Sequence, residues 1–334
     1  MIAWNIDFHN VAELVPYEDG HIMYRVPADV RAHLNEGLRE RSSWYATGVE
    51  LRFRLRGDQA VIRLRTLPMD EAQVAHVYYG SMQGGWQNSS RLITTQATEL
   101  LIRRPENLDQ LAEIHRSCAL PFSPELVRVV LPYGSLVFLG VEGDVEPPRP
   151  EDLPQRTYLA YGSSITHGSL ALDTPHTYAF RIAQMLGCDY RNLGFAGTAH
   201  LEKEMAEYIV SRQDWDFASV EMGINMLLCF SLADFERRVD DFTAILAADP
   251  RPVFATSLFG FWGEHQQKAA QMRQIVGKYA QERLHYIDGL ELLDHPAYLS
   301  QDMVHPSLEG QDQIARRWQA LMAPVLREKG ILPG

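Results

Sequence analysis

Cysteine is scarce: three in 334 residues, at 118, 188 and 229, with no Cys-x-x-Cys pair. So few and scattered thiols exclude a disulfide framework and fit a reducing compartment. All three read as small core residues, since none stands in a loop beside a pair of basic residues that would activate it. Long apolar runs are absent too, and nothing approaches the length that spans a bilayer. The opening Met-Ile-Ala-Trp-Asn-Ile-Asp-Phe-His-Asn has neither a basic start nor an apolar stretch, so no signal peptide is read and a cytoplasmic location is expected. Positive charge is in deficit: 31 Lys and Arg face 43 Asp and Glu, a net −12. That weighs against nucleic acid or an anionic membrane as partner. The 12 histidines include no His-x-His or His-Glu-x-x-His spacing, so no metal site is expected. No Gly-x-Gly-x-x-Gly follows the first strand of the second half, so no nucleotide cofactor is expected either.

What is present is an ordinary globular composition, 46% apolar and 22% charged, in a chain comfortable for two domains. Residues 1–145 read as all-β. Residues 49–56 alternate apolar and polar, Gly57-Asp58 turns the chain, and 60–65 alternate again, so a hairpin is predicted over 49–66. Alternation puts Arg52, Arg54, Arg56 and Arg65 on its solvated face. Further strands are read at 75–79 and, as a pair about Pro132-Tyr133-Gly134, at 126–131 and 136–141. A short helix fits 27–38. Short strands at this spacing suggest a two-sheet sandwich. Residues 146–156 carry four prolines and read as a stiff linker.

Residues 157–334 change period. Strands at 157–161, 189–193, 217–222, 252–256 and 284–287 alternate with helices near 174–187, 200–212, 231–248, 264–282 and 307–328. Each strand followed by a helix requires right-handed crossovers and a parallel sheet, here a three-layer α/β/α sandwich. In such a sheet every loop after a strand lies on one edge, where ligands gather.

Four of those loops carry reactive groups. The first is Gly162-Ser163-Ser164, where a strand hands over to a helix and a serine can be lifted toward a substrate. The second holds Gly194-Phe195-Ala196-Gly197 and the third Gly223-Ile224-Asn225. The last, Asp302-Met303-Val304-His305, precedes the closing helix, with a carboxylate three residues from an imidazole. Together they supply a nucleophile (Ser164), a general base (His305), an orienting carboxylate (Asp302) and oxyanion donors: the N–H groups of Ser164 and Gly197 and the Asn225 amide. His167, three residues from Ser164, is the rival base, and Asp288, at the end of the last strand, the rival acid. The apolar loop 258–262, with Phe259 and Trp262, either floors an acyl pocket, stacks on a sugar or packs on the first domain. His167 and His200 are further candidates for lining the site.

The blocks Gly162-Ser163-Ser164-Ile165-Thr166, Gly197, Gly223-Ile224-Asn225 and Asp302 to His305, in this order, resemble those of the SGNH hydrolases, or GDSL esterases and lipases. Two positions depart from that pattern: Ser163 replaces the usual Asp before the nucleophile, and Met226 an Asp that often follows the Asn. The resemblance covers 157–328. With a β-rich domain in front, it is similar to the two-domain bacterial branch, which includes carbohydrate acetyl esterases and some acyltransferases. It implies a flavodoxin-like α/β domain over 157–334 behind a jelly-roll-like β-sandwich over 1–145. It also implies a serine esterase without metal or cofactor that cleaves short acyl esters, above all acetyl groups on a sugar or small polyol. An acyltransferase with the same triad and a non-catalytic glycan-binding protein on the same fold are the alternatives. The β domain is open to glycan binding, shaping of the cleft or self-association into a homo-oligomer.

Overall fold

Residues 50–66 alternate in two phases: Leu51, Phe53 and Leu55 are buried, and then Ala60, Ile62 and Leu64. A turn is one way to accommodate that flip. The computed structural model, which describes residues 1–70, 72–86 and 88–333, shows the other. Glu50–Thr66 is one continuous 17-residue strand rather than the predicted hairpin. Its partner Leu136–Glu146 pairs Gly143 with Ala60 and Val145 with Leu55, so the surplus residues around Gly57 are absorbed as a bulge while the ladder continues. Strand Leu126–Val130 pairs with the other side of the long strand. The strands flanking Pro132-Tyr133-Gly134 therefore do not pair with each other; each pairs with 50–66.

The chain divides into two compact units: Met1–Pro27 with Trp44–Gln155, and Ala28–Ser43 with 156–333. In the first, 11 strands join into one branched antiparallel sheet around a core that includes Phe8, Phe53, Ile62, Val129 and Phe138. Helix Leu108–Ser117 was not foreseen; it lies on the surface, with Leu108, Leu111 and Ala112 half-buried and no residue fully buried. Of the four arginines expected in solvent, Arg56 is exposed. Arg52 is buried because the Glu50 carboxylate lies 2.8 Å from its Nε and 2.6 Å from Arg128 Nη2, with the Phe122 ring 3.8 Å from the Arg128 guanidinium carbon. Arg54 pairs with Asp152 at 2.6 Å, and Arg65 with Glu18 at 2.6 Å. Alternation reads which face a side chain takes, but not whether that face is covered.

In the second unit, the parallel strands Asp189–Gly194, Thr157–Gly162, Phe217–Glu221, Val253–Thr256 and His285–Ile287 lie in that order. This 2-1-3-4-5 order is the flavodoxin-like one, and it places the topological switch beside the first strand, where the sheet opens toward a ligand. Tyr158, Leu159, Ala160 and Tyr161 are each 0% exposed, as a strand covered on both faces requires. Helices Tyr178–Leu186, Lys203–Ser211, Leu232–Ala247, Gln266–Arg283 and Leu308–Glu328 complete the layers. The short helices Ala28–Arg31 and Glu36–Glu40 belong to this unit. Cys188 is buried, but Cys118 and Cys229 are exposed, contrary to expectation: one ends the surface helix at 117 and the other lies in the loop after Asn225. Among the described residues no helix is long and apolar enough to cross a membrane.

Candidate active site

The first strand ends at Gly162 and the chain enters a single helical turn, Ser164–His167. Gly162 is required by close approach: a Cβ there would lie 2.2 Å from Thr166 Oγ1 and 2.6 Å from Glu221 Oε2. Ser163 caps the turn, its Oγ accepting from Ile165 N at 3.2 Å. Its own N–H donates to Glu221 Oε2 at 2.7 Å, and Thr166 Oγ1 donates to the same oxygen at 3.2 Å. Glu221, at the end of the third strand, is buried, and burial pushes its carboxyl up against the pull of these hydrogen bonds. The turn carrying Ser164 is thus tied from beneath to the neighbouring strand. A carboxylate closing a buried strand without other charge, Phe-Ala-Ser-Val-Glu, is the sequence signal for Glu221, and the sequence reading assigned it no role.

Ser164 is 8% exposed, with its Oγ 2.7 Å from His305 Nε2. The other ring nitrogen, Nδ1, meets Asp302 Oδ2. Asp302 Oδ1 accepts from the N–H groups of Val304 and His305, both at 3.0 Å, so one carboxylate shapes the loop and holds the ring. Burial raises the Asp302 carboxyl, but the His305 ring and these N–H groups outweigh it and leave its pKa below the ordinary carboxylate value. With Asp302 ionised, the His305 proton belongs on Nδ1, and Nε2 faces the hydroxyl as an acceptor. The Met303 carbonyl accepts from Trp262 N–H at 2.7 Å, which joins this loop to the aromatic loop after the fourth strand.

Ser164, Gly197, Asn225 and His305 all line one cleft of about 620 Å³. Gly223 turns the chain into the Asn225 loop at φ +119°, and a Cβ there would lie 2.5 Å from Leu258 Cδ1. Asn225 Oδ1 accepts from Ala199 N–H at 3.2 Å, which fixes the amide and leaves Nδ2 as its donor edge. Ile224, Leu227, Leu228, Phe261 and Trp262 give the cleft apolar walls, and Arg41, Glu264 and His265 add charged or titratable groups. Of these lining residues the sequence places Ile224 in the third loop and Phe261 and Trp262 in the apolar loop 258–262, and it gives no sign of the others. Arg41 lies more than 100 residues before the first strand of its unit, and no local pattern brings it there.

The remaining candidates lie elsewhere. His167 is buried, and its Nδ1 accepts from Ala196 N–H at 3.2 Å, so it braces the Gly197 loop from behind. His200 is outside the cleft lining and packs edge-on against Phe230, ring centroids 5.1 Å apart. Phe259 is buried against Tyr178 and Trp318, on the core side of its loop. Asp288 caps the turn Gly289–Leu292, accepting from Leu290 N at 2.9 Å.

Residues 160–313 match the model of the GDSL-like Lipase/Acylhydrolase family. A solved salicylyl-acyltransferase from a tetracycline biosynthetic pathway aligns at 19% identity over 99% of this chain and 96% of its own, with a TM-score of 0.75. A putative GDSL-like lipase from Bacteroides ovatus aligns at 15% identity over 96% and 95%, TM-score 0.69. A family two carbohydrate esterase from Clostridium thermocellum, solved with cellohexaose, aligns at 12% identity over 98% and 100%, TM-score 0.61. No curated protein matches the chain in sequence. At these identities the structures speak to the fold, which they share across nearly the whole chain. The α/β unit is thus matched to the GDSL-like lipase/acylhydrolase family through residues 160–313, and that match supports a carboxylic ester hydrolase.

Proposed function

We propose that the protein hydrolyses short-chain acyl esters, acetyl above all, on a carbohydrate or small polyol, through a covalent acyl-enzyme on Ser164. His305 Nε2 takes the Ser164 proton as Oγ attacks the ester carbonyl, then returns it to the leaving alcohol. Asp302 keeps the Nδ1 tautomer and stabilises the imidazolium. The Ser164 and Gly197 N–H groups and Asn225 Nδ2 receive the developing oxyanion, each such donor contributing about 2.7–4 kcal/mol. A water activated by His305 then releases the acid. The observation that carries this reading is the 2.7 Å contact between Ser164 Oγ and His305 Nε2, with the far side of the ring on Asp302.

The carbohydrate assignment draws support from the esterase fold solved with cellohexaose and from the half-exposed Trp262, an indole face suited to a sugar ring. A second reading, acyl transfer to an alcohol other than water, draws support from the TM-score of 0.75 to an acyltransferase and from the apolar cleft walls. Both use the same serine. A fluorophosphonate probe is expected to label the wild-type protein and not Ser164→Ala; equal labelling of the two would refute the assignment. Acid release with and without an added sugar acceptor separates hydrolysis from transfer.

A further inference from the structure

Arg41 stands on the cleft beside Gly197: a Cβ built on that glycine would lie 3.9 Å from an Arg41 terminal nitrogen. It is exposed, and among the described residues its side chain makes no ion pair or hydrogen bond. Arg39, next but one, by contrast pairs with Glu40 at 2.6 Å. Glu264 is the acid among the lining residues, and it forms no ion pair with Arg41; its side chain is 94% exposed and lies 3.9 Å from His265. The cation at the cleft therefore has no counter-ion from this unit.

Its position is held from both sides. Asn35 Nδ2 donates to Thr198 O at 2.8 Å and to Glu202 Oε1 at 2.7 Å. Ser42 Oγ and Thr198 Oγ1 lie 2.6 Å apart. Gly37 approaches so closely that a Cβ there would stand 2.7 Å from Thr198 Cγ2. Residues 35–42 are thus clamped onto the loop that carries Gly197, and the Arg41 backbone N–H closes the helical turn on Gly37 O. A free surface arginine needs no such clamp. A guanidinium whose backbone is anchored beside a reaction centre, and which lacks an acid, has its donor fork free for an incoming anion.

We infer that Arg41 is a specificity-determining residue that binds a carboxylate on the substrate, so that the preferred esters carry an anionic group near the scissile bond. This rests on the esterase reading of Ser164. The carboxylate belongs either to the acyl group, as in a dicarboxylic hemiester, or to the alcohol, as in an acylated uronic acid.

Two matched pairs test it: mono-p-nitrophenyl glutarate against p-nitrophenyl pentanoate, and acetylated methyl glucuronate against acetylated methyl glucoside. In at least one pair the wild-type protein is expected to favour the anionic ester by about tenfold in kcat/KM, equivalent to about 1.4 kcal/mol. The pair that shows it identifies the side that carries the charge. Arg41→Gln brings that ratio near unity, Arg41→Lys keeps part of it, and Arg41→Glu pushes it below unity. The wild-type preference also shrinks as salt rises. Melting temperatures within about 2 °C of wild type show that the exposed site was changed without unfolding. Ratios near unity in both wild-type pairs, or a ratio that Arg41→Gln leaves intact, overturn the role of Arg41 while turnover of neutral esters upholds the esterase. Cleavage of none of the four esters, with no fluorophosphonate labelling at Ser164, overturns both.

Discussion

Asn225→Ala removes two interactions at once, and the structure separates their effects. The Nδ2 donor edge is lost from the cleft, and so is the Oδ1 that accepts from Ala199 N–H at 3.2 Å. Loss of one oxyanion donor lowers kcat by about 10²–10³-fold with little change in KM, because the donor acts on charge absent from the ground state. Loss of the acceptor leaves the N–H of buried Ala199 unpaired, a stability cost of about 1–3 kcal/mol. Asn225→Asp splits the two. It keeps an oxygen for Ala199, so its melting temperature stays above that of the alanine variant. It also sets a carboxylate against the oxyanion, so kcat falls at least as far as in the alanine variant. The assay is steady-state hydrolysis of p-nitrophenyl acetate beside thermal unfolding of wild type and both variants. If Asn225→Asp kept kcat within about threefold of wild type, the amide would not face the developing charge, and the oxyanion assignment would fall.

Asp302→Asn puts the wrong tautomer on His305 and is expected to lower kcat by about 10³–10⁴-fold while Ser164 stays in place; a loss under about tenfold would remove Asp302 from the mechanism. Glu50 supplies a pH test in the β-rich unit. Burial opposes its ionisation, but the Arg128 and Arg52 guanidiniums win and hold its pKa down to about 2 from an ordinary 4.5. A depressed carboxyl stabilises the fold above its unfolded pKa, so this contribution is complete above about pH 4.5 and fades as pH falls toward 2. Glu50→Gln removes that acid limb from the melting curve. It also costs about 3–5 kcal/mol at neutral pH, because Arg52 and Arg128 are left buried without their anion. Unchanged neutral-pH stability would contradict the pairing.

The α/β unit was legible because its order is written locally. Most of its strands are short apolar runs and most of its helices periodic ones, and a parallel sheet sends all its post-strand loops to one edge. Ser164, Gly197, Asn225 and His305 stand on that edge for this reason, and the Asp302–His305 contact spans three residues and needs little more than its own loop. The β-rich unit was less legible. A phase flip at 56–59 looks the same in sequence whether the chain turns back or bulges and runs on. Only the pairing of 143 with 60 and 145 with 55 decides. Burial of Arg52 likewise depends on Glu50, Arg128 and Phe122 meeting from separate strands and a loop.

By itself the sequence determined the type of each α/β element, their order, and the chemical groups that loops of a parallel sheet gather at its edge, because these follow from short-range periodicity and one rule of connection. The tertiary structure alone decided which of those groups meet and what surrounds them. It set Ser164 on His305 rather than His167, turned Phe259 to the core and Trp262 to the cleft, placed Glu221 beneath the serine, and folded residues 28–43 into the second unit with Arg41 on the cleft. Such contacts join residues tens to more than a hundred positions apart, and their energies depend on burial and counter-charge that no local pattern records.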